Sequence, residues 1–358
     1  MIKEYVNPEF SETIFKSAPD AELKQADADG ILPDEFHATS IFPEYIKIDG
    51  EWRLIKASRM DCCVVVRDGE PFAVEQRNVK KGEYVVLGRK DDASMGIYLH
   101  ATGFLSKDKG FDDFAFRTSR TRETSYSMDY DSLYELLKYE KDNGYIVWVL
   151  GPAVAFDYDS RSSMQKLIEN GFVQHIFAGN ALATHDLEAS YMKTALGQDI
   201  YTQESIPNGH YHHLQTINDV RACGSIKSFI EKKDINEGIM YAMEKENIGY
   251  ILAGSIRDDG PLPEVIGDVY ECQKRMREIV GKATTVIGLA TQLHTIATGN
   301  MTPSYVIKEG IVRPVNFYTV DITEFAVNKL RDRGSLAVKS IVTNVQDFLV
   351  NTSNGLGL

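Results

Sequence analysis

Residues 250–265 read YILAGSIRDDGPLPEV: an apolar run closes on Gly254 and Ser255, then meets Arg257, the carboxylates Asp258 and Asp259, Gly260 and Pro261. A continuously apolar run is what a strand covered on both faces requires. Charge gathered where such a strand stops is what an open α/β sheet presents to a ligand at its carboxyl edge. This segment therefore predicts a parallel sheet with a site beyond its strand ends.

The same texture extends in both directions. Helical patterns (SLYELLKYEKDNG, SSMQKLIENG, ALATHDLEASYMKTALG, INEGIMYAMEKENIG, LPEVIGDVYECQKRMREIVG, TEFAVNKLRDRG) punctuate short apolar runs (YIVWVLG, VQHIFAG, YILAG, TTVIGLA, VNFYTVD, VKSIVTN). That alternation predicts a doubly wound, mostly parallel α/β sheet over 123–358. Upstream the pattern is different. EYIKIDGEWRLI and DCCVVVRDGEPFAVEQ each place Asp-Gly between apolar alternations, a hairpin signal, and KKGEYVVLG adds a strand, so 1–122 reads as a β-rich domain. The polar, aperiodic stretch 117–131 is the expected linker, with the boundary near residue 122.

Composition narrows the function. A chain of 358 residues, 43% hydrophobic and 25% charged, can bury full cores, and a net charge of −13 from 39 basic and 52 acidic residues argues against phosphate-backbone binding. Small molecules are the expected partners, with no nucleic acid. Cys62, Cys63, Cys223 and Cys272 form no Cys-x-x-Cys pair, so neither a zinc knuckle nor a disulfide framework is indicated, and a reducing cytoplasm fits. No run approaches the roughly 18 apolar residues of a membrane span, so a cytoplasmic protein without a membrane partner is expected.

Four strand ends pair small residues with hydrogen-bonding ones: VLGPA, FAGNALATHD, LAGSIRDDG and LATQLHTIATGN. Helix N-termini expected just after Gly179 and Gly260 would offer free N–H groups to a dinucleotide pyrophosphate, although each glycine is equally what a tight strand-to-helix turn needs. No G-x-G-x-x-G follows any strand, so the usual dinucleotide fingerprint is missing. Asp321 ends VNFYTVD, where a carboxylate can accept from a ribose diol and repel a 2′-phosphate, or cap the following helix. In NGHYHHLQTIND, His210 and His212 would share a face of an extended chain. The segment is read as substrate binding or proton transfer by neutral imidazoles, with a metal pair or a plain surface loop as alternatives.

On these motifs the chain resembles the archaeal-type NAD-dependent ornithine cyclodeaminases, a family also found as the C-terminal part of cyanobacterial bifunctional arginine dihydrolases, with a lysine-oxoglutarate reductase/saccharopine dehydrogenase-type region. The segments carrying the resemblance are LPDEFHATSIFPEYIKIDGEW, RMDCCVVV, VKKGEYVVLG, AGNALATHDLE, GHYHHLQTINDVRACGSI, GIMYAMEKENIGYILAGSIRDDGPLPEVIGDV, LATQLHTIATGNMTPS and VDITEFAVNKLRDRGS. It covers nearly the whole chain from residue 31. The C-terminal half is also similar in its logic to deoxyhypusine synthase, a Rossmann-like sheet that holds NAD by short motifs at several strand ends.

The resemblance implies an NAD site at Gly179, Asn180, His185, Asp186, Gly254, Ser255, Gly260, Thr291, His294, Asn300 and Asp321. It implies substrate contacts from Arg257, His210 and Asp61, catalytic roles for Asp259, Asp258, His213, His212 and Asn218, no metal, and a homo-oligomer. Asp258 and Asp259 should point opposite ways, one pairing with Arg257 and Asp259 facing substrate. The reaction implied is redox-neutral: NAD takes the α-hydrogen as hydride, the distal amine attacks the imine, ammonia leaves, and the hydride returns to give proline. Phe156 and Asp157 stand where the family turn is Gly-rich with a His-Thr, and Tyr211 stands where Arg is common. The substrate is thus ornithine or a related diamino acid. An amino-acid dehydrogenase and a non-catalytic NAD- or amino-acid-binding regulator are the alternatives.

Overall fold

The structure is a computed structural model that describes residues 5–104, 127–258, 260–322 and 337–358. Residues 117–126 of the expected linker, Asp259, and the helix expected over 323–334 lie outside the described residues. The chain divides into two compact units: Met1–Glu123 with Gly299–Asn316 and Lys329–Val338, and Thr124–Thr298 with Phe317–Asn328 and Lys339–Leu358. The return of 299–316 to the first unit has no marker in composition.

In the first unit a short helix, α1 (Thr13–Ser17), precedes β1 (Glu22–Gln25), β2 (Glu44–Ile48), β3 (Glu51–Leu54), β4 (Cys63–Arg67), β5 (Glu70–Val74), β6 (Tyr84–Leu87) and β7 (Ile97–Leu99). Both Asp-Gly hairpins form. Asp49 and Gly50 join β2 to β3, and Asp68 and Gly69 join β4 to β5, each pair with φ between 51° and 80°. Those left-handed values match the twist of antiparallel strands, and Asp and Gly adopt them at low cost. The strands form sheets ordered β1-β6-β4-β5 and β3-β2-β7.

The second unit is built on α2 (Ser127–Asn143), β8 (Ile146–Leu150), α3 (Tyr158–Glu169), β9 (His175–Gly179), α4 (Asn180–Met192), the small hairpin β10 (Thr194–Ala195) and β11 (Gln198–Asp199), α5 (Gly209–Cys223), α6 (Ile226–Lys232), α7 (Ile239–Lys245), β12 (Gly249–Ala253), β13 (Val265–Ile266), α8 (Val269–Val280), β14 (Thr285–Leu289) and α9 (Gln292–Met301). A hairpin of β15 (Tyr305–Lys308) and β16 (Ile311–Pro314), which belongs to the first unit, follows in the chain, then β17 (Asn316–Asp321), β18 (Ala337–Val342) and α10 (Val345–Gly355).

The main sheet runs β13-β12-β9-β8-β14-β17-β18, with β8, β9, β12 and β13 mutually parallel and β14 parallel to β8. Every residue of β8 and β14 is buried, the double-sided coverage the apolar runs implied. Each fully buried Val, Leu or Ile there contributes about 1.5–3 kcal/mol. Trp148, wholly buried, satisfies its one donor by giving Nε1–H to the Phe172 carbonyl at 2.9 Å.

The chain order reverses between β8 and β14, the topological switch at which open α/β sheets bind ligands. Here Gly151, just past β8, donates its N–H to Leu289 O at 2.8 Å, and a Cβ on it would lie 1.9 Å from the Ala290 carbonyl oxygen. Only glycine permits that approach.

The YILAG strand, β12, has only the two-residue β13 between it and the sheet edge. Two local expectations are corrected. No helix begins after Gly260, because α8 starts at Val269, where the Asp268 carboxylate accepts from Tyr270 N and Glu271 N. NGHYHHLQTIND is not extended but is the start of α5, whose Thr216, Ile217 and Val220 are buried. Among the described residues no helix is long and apolar enough to cross a membrane.

Candidate active site

A cleft of about 240 Å³ opens beyond the carboxyl ends of β8, β9 and β12, lined by Pro152, Asn180, Ala181, His185, His213, Ile217, Ser255, Arg257 and Asp258. Six of these nine were expected from sequence. Their placement follows from local structure.

Gly179 ends β9 and α4 begins at once with Asn180, so the positive end of a thirteen-residue helix faces the cleft. The Asn180 side-chain oxygen accepts from Leu262 N at 3.0 Å, which ties the segment after Gly260 to the helix start. After β12 the chain folds into a tight turn. Asp258 accepts from Ser255 N at 2.9 Å, and the Ser255 hydroxyl accepts from Arg257 N at 3.1 Å. Asp258 therefore braces the turn and is not paired with Arg257 as expected. Among the described residues no carboxylate lies within ion-pair distance of the Arg257 guanidinium, which leaves it available to an anion.

His185 and His213 meet at the cleft with ring centroids 4.8 Å apart. His185, one turn into α4, is buried and its Nδ1 lies 2.9 Å from Oε2 of the fully buried Glu188. Glu188 Oε1 accepts from the Thr194 hydroxyl at 2.9 Å and from Gly197 N at 3.3 Å. Thr194 Oγ1 in turn lies 2.8 Å from His212 Nδ1. His185, Glu188 and His213 present potential ligand atoms within 4.8 Å of one another, and both Glu188 oxygens also take part in hydrogen bonds.

Other expected residues lie elsewhere. Asp186 is fully buried: Arg161 Nε donates to it at 2.9 Å, Ile239 N at 3.0 Å and Met240 N at 2.7 Å, so it anchors α3 and α7 to α4. The His210 ring lies tilted against the exposed Tyr211 at 4.3 Å, and Asn218 is exposed with its amide 3.5 Å from Asp219. Thr291 stands at the β8/β14 switch beside Gly151. Asp321 closes β17, and its carbonyl accepts from Thr343 N at 3.1 Å. Gly254 donates its N–H to Ile266 O at 2.9 Å, Asn300 is exposed on α9, and Asp61 belongs to the first unit. His294 lies near-parallel to Phe177 at 6.5 Å, and its buried Nε2 has no hydrogen-bond partner among the described residues. Burial pushes its pKa down to about 4, so the ring is neutral at physiological pH.

Sequence reasoning missed Pro152, Ala181, Ile217, Glu188 and Thr194. Glu188 was within reach: in THDLE it lies three residues after His185, the spacing that puts two side chains on one helix face. The turn that departs from the family contributes too. Asp157 caps α3 by accepting from Ser160 N at 2.9 Å, and the Phe156 ring stands edge-on to His185 at 5.5 Å.

These features define a Rossmann-type α/β unit with a polar cleft at its strand ends and an accompanying β-rich unit. The family described as arginine dihydrolase ArgZ-like, C-terminal, Rossmann fold matches residues 133–352, and its first region matches residues 43–102. The chain belongs to this family. It is 40% identical over 331 residues to the ornithine cyclodeaminase of Archaeoglobus fulgidus, covering 92% of this chain and 77% of that one. It is 34% identical to the bifunctional arginine dihydrolase/ornithine cyclodeaminase ArgZ of Synechocystis, covering 89% of this chain and 44% of that one. Among solved structures, a LOR/SDH protein from Methanococcus maripaludis superposes with a TM-score of 0.84 at 36% identity, covering 94% of this chain and 98% of that one. The ternary complex of AgrE with ornithine and NAD+ superposes with a TM-score of 0.59 at 32% identity, covering 95% of this chain and 46% of that one.

Proposed function

We propose that this protein is an NAD-dependent ornithine cyclodeaminase, converting ornithine to proline and ammonia. The observation that carries the reading is the cleft itself, which gathers a helix N-terminus, an arginine available to an anion and two imidazoles at the carboxyl edge of a parallel sheet. Homology to curated ornithine cyclodeaminases over nearly the whole chain supports it.

The residues present fit NAD. The start of α4 offers backbone N–H groups to a pyrophosphate, the backbone at the β8/β14 switch is kept close by Gly151, and His294 holds a buried ring nitrogen for which no described residue is a partner. When bound, NAD supplies the acceptor and later the donor of the substrate's α-hydride. Arg257 binds the α-carboxylate, an assignment its open guanidinium suits. Asp258 fixes the turn that aims Arg257, and Asp259 is assigned the distal ammonium. Pro152 and Ile217 supply the apolar walls that keep water from the imine, with Phe156 edge-on behind His185.

The test is substrate deuterated at the α-carbon. Proline that retains the label, with ammonia released and catalytic NAD sufficient for many turnovers, is the expected result. Stoichiometric NADH with a 2-oxo acid product would replace this reading with that of a dehydrogenase.

A further inference from the structure

The array behind the cleft assigns a proton path that the binding residues leave open. Oxidation at the α-carbon requires a neutral α-amine, and an amino acid arrives as the ammonium. Some group must take that proton, hold it while the cleft is closed, and return it.

Glu188 has no exposure to solvent and carries three donors: the His185 ring, the Thr194 hydroxyl and the Gly197 amide. Oε1 accepts from two of these groups and Oε2 faces the His185 ring, an arrangement in which the carboxylate is the acceptor on both oxygens. His185 must then carry its proton on Nδ1. Its Nε2 is left as a lone pair, on a ring that lines the cleft. Thr194 has one hydroxyl hydrogen and gives it to Glu188, so His212 must donate Nδ1–H to Thr194 Oγ1. The chain of bonds thus has one consistent direction, from His212 through Thr194 to Glu188, with His185 donating from the other side.

From this geometry we infer that His185 is the base that deprotonates the substrate's α-ammonium, and that Glu188, supported by Thr194 and His212, is the residue that positions it. The inference rests on the cyclodeaminase reading. In the step, one N–H bond of the ammonium breaks, its electron pair stays on nitrogen, and the proton forms a bond to His185 Nε2. The imidazolium so produced lies against the Glu188 carboxylate, with Nδ1 2.9 Å from Oε2. The distal ammonium likewise loses a proton, to the carboxylate assigned to it, before its nitrogen closes the ring; both protons are then returned to the two product nitrogens, the proline amine and the departing ammonia, so no net proton is gained by the protein. The oxidant for the C–H bond is the NAD of the proposed function.

A latch between α4 and the β10/β11 hairpin would use the same bonds, so the test needs a signature beyond stability. In intact protein labelled with 15N-histidine, His185 is expected to show a protonated Nδ1 and a bare Nε2, and His212 a protonated Nδ1. The isosteric Glu188→Gln is expected to lower kcat by about 100-fold, the low end for general-base catalysis. In the same variant the ornithine KM and the NAD affinity should stay within about 3-fold, since neither ligand is bound by that side chain. Thr194→Ser should retain near-normal kcat because it keeps the hydroxyl, whereas Thr194→Val should lose roughly 10-fold, the scale of one hydrogen bond. A His185 proton on Nε2, or a folded Glu188→Gln variant with kcat within 3-fold of the parent, overturns the inference while leaving the cyclodeaminase reading standing. If the unaltered protein binds NAD but yields no proline, that reading fails and the base assignment falls with it. The histidine spectrum still decides whether Glu188 sets the His185 tautomer.

Discussion

Replacing Asp186 by Asn separates a structural role from a cofactor role at a residue that sequence alone places in the NAD site. The carboxylate meets Arg161 Nε at 2.9 Å, and both side chains are almost wholly buried. Asn keeps the shape and removes the charge. The guanidinium is then a buried cation without its partner, a loss worth about 3–5 kcal/mol. The second oxygen accepts from Met240 N at 2.7 Å, so an Asn amide turned that way would face an N–H group and add about 1–3 kcal/mol. Against a typical total of roughly 5–15 kcal/mol, the α/β unit would be left close to unfolding.

Urea unfolding followed by tryptophan emission measures this directly. The protein has two tryptophans, Trp52 in the first unit and Trp148 in the second, so a Trp52→Phe background reports on the second alone. The midpoint should fall sharply in Asp186→Asn, and Arg161→Met combined with it should recover at least about 2 kcal/mol, because no bare cation remains. A midpoint shift below about 1 kcal/mol, together with more than tenfold weaker NAD binding, would refute the argument and make Asp186 a cofactor ligand.

Further outcomes follow from single contacts. Gly151→Ala should cost about 2–3 kcal/mol or more and abolish NAD binding, because its Cβ would meet backbone at 1.9 Å, whereas Gly179→Ala, whose Cβ would have no neighbour nearer than 3.7 Å, should be tolerated. Normal melting temperature and NAD affinity in Gly151→Ala would contradict this. His175 and His294 are each held down from 6.5 to about 4 by burial, so between these values the unfolded chain binds more protons than the folded one. Their stabilisation is complete above about pH 6.5 and is lost as pH falls through about 4; urea midpoints at pH 7 and 4.5 should differ in that sense, and His175→Gln should reduce the difference. Asp321→Ala should weaken NAD and ease acceptance of NADP, as a carboxylate near a ribose diol implies, and equal affinity of the unaltered protein for both cofactors would count against it.

The α/β architecture was legible because burial on both faces leaves a mark in composition. IVWVL and TVIGL carry no charge and only one polar side chain, Thr285, and all ten of their residues are buried. The Asp-Gly hairpins were legible because few residue pairs adopt two consecutive left-handed conformations cheaply. What escaped was whatever tertiary context decides. In NGHYHHLQTIND the clustered histidines and the Asn-Gly start suggested a loop, yet Ile217 and Val220, three apart, were already the helical signal. The segment after Gly260 looked like a helix start because Pro261 and Leu262 suit one. Asn180, eighty-two residues earlier, captures Leu262 N instead, and the helix waits for the Asp268 cap.

The cleft divides the same way. Residue types that bind ligands could be recognised in the motifs, but not which of two adjacent residues faces the ligand. In HDLE, His185 reaches the cleft while Asp186, about 100° further round the helix, turns inward to Arg161 and α7, and Glu188 returns beneath the histidine. Helical phase, not residue chemistry, separates the three roles. Because a charged Asp186 is satisfied within the scaffold, α4 can hold two carboxylates without placing either in the cleft, where an anion beside the helix start would oppose a pyrophosphate. Among the described residues, the carboxylate that lines the cleft, Asp258, is drawn back into its own turn by Ser255 N. Among the described residues, the positive end of α4 and the Arg257 guanidinium are therefore the groups that favour an anion there. That is the sign required by a site for two anionic groups, a pyrophosphate and an α-carboxylate.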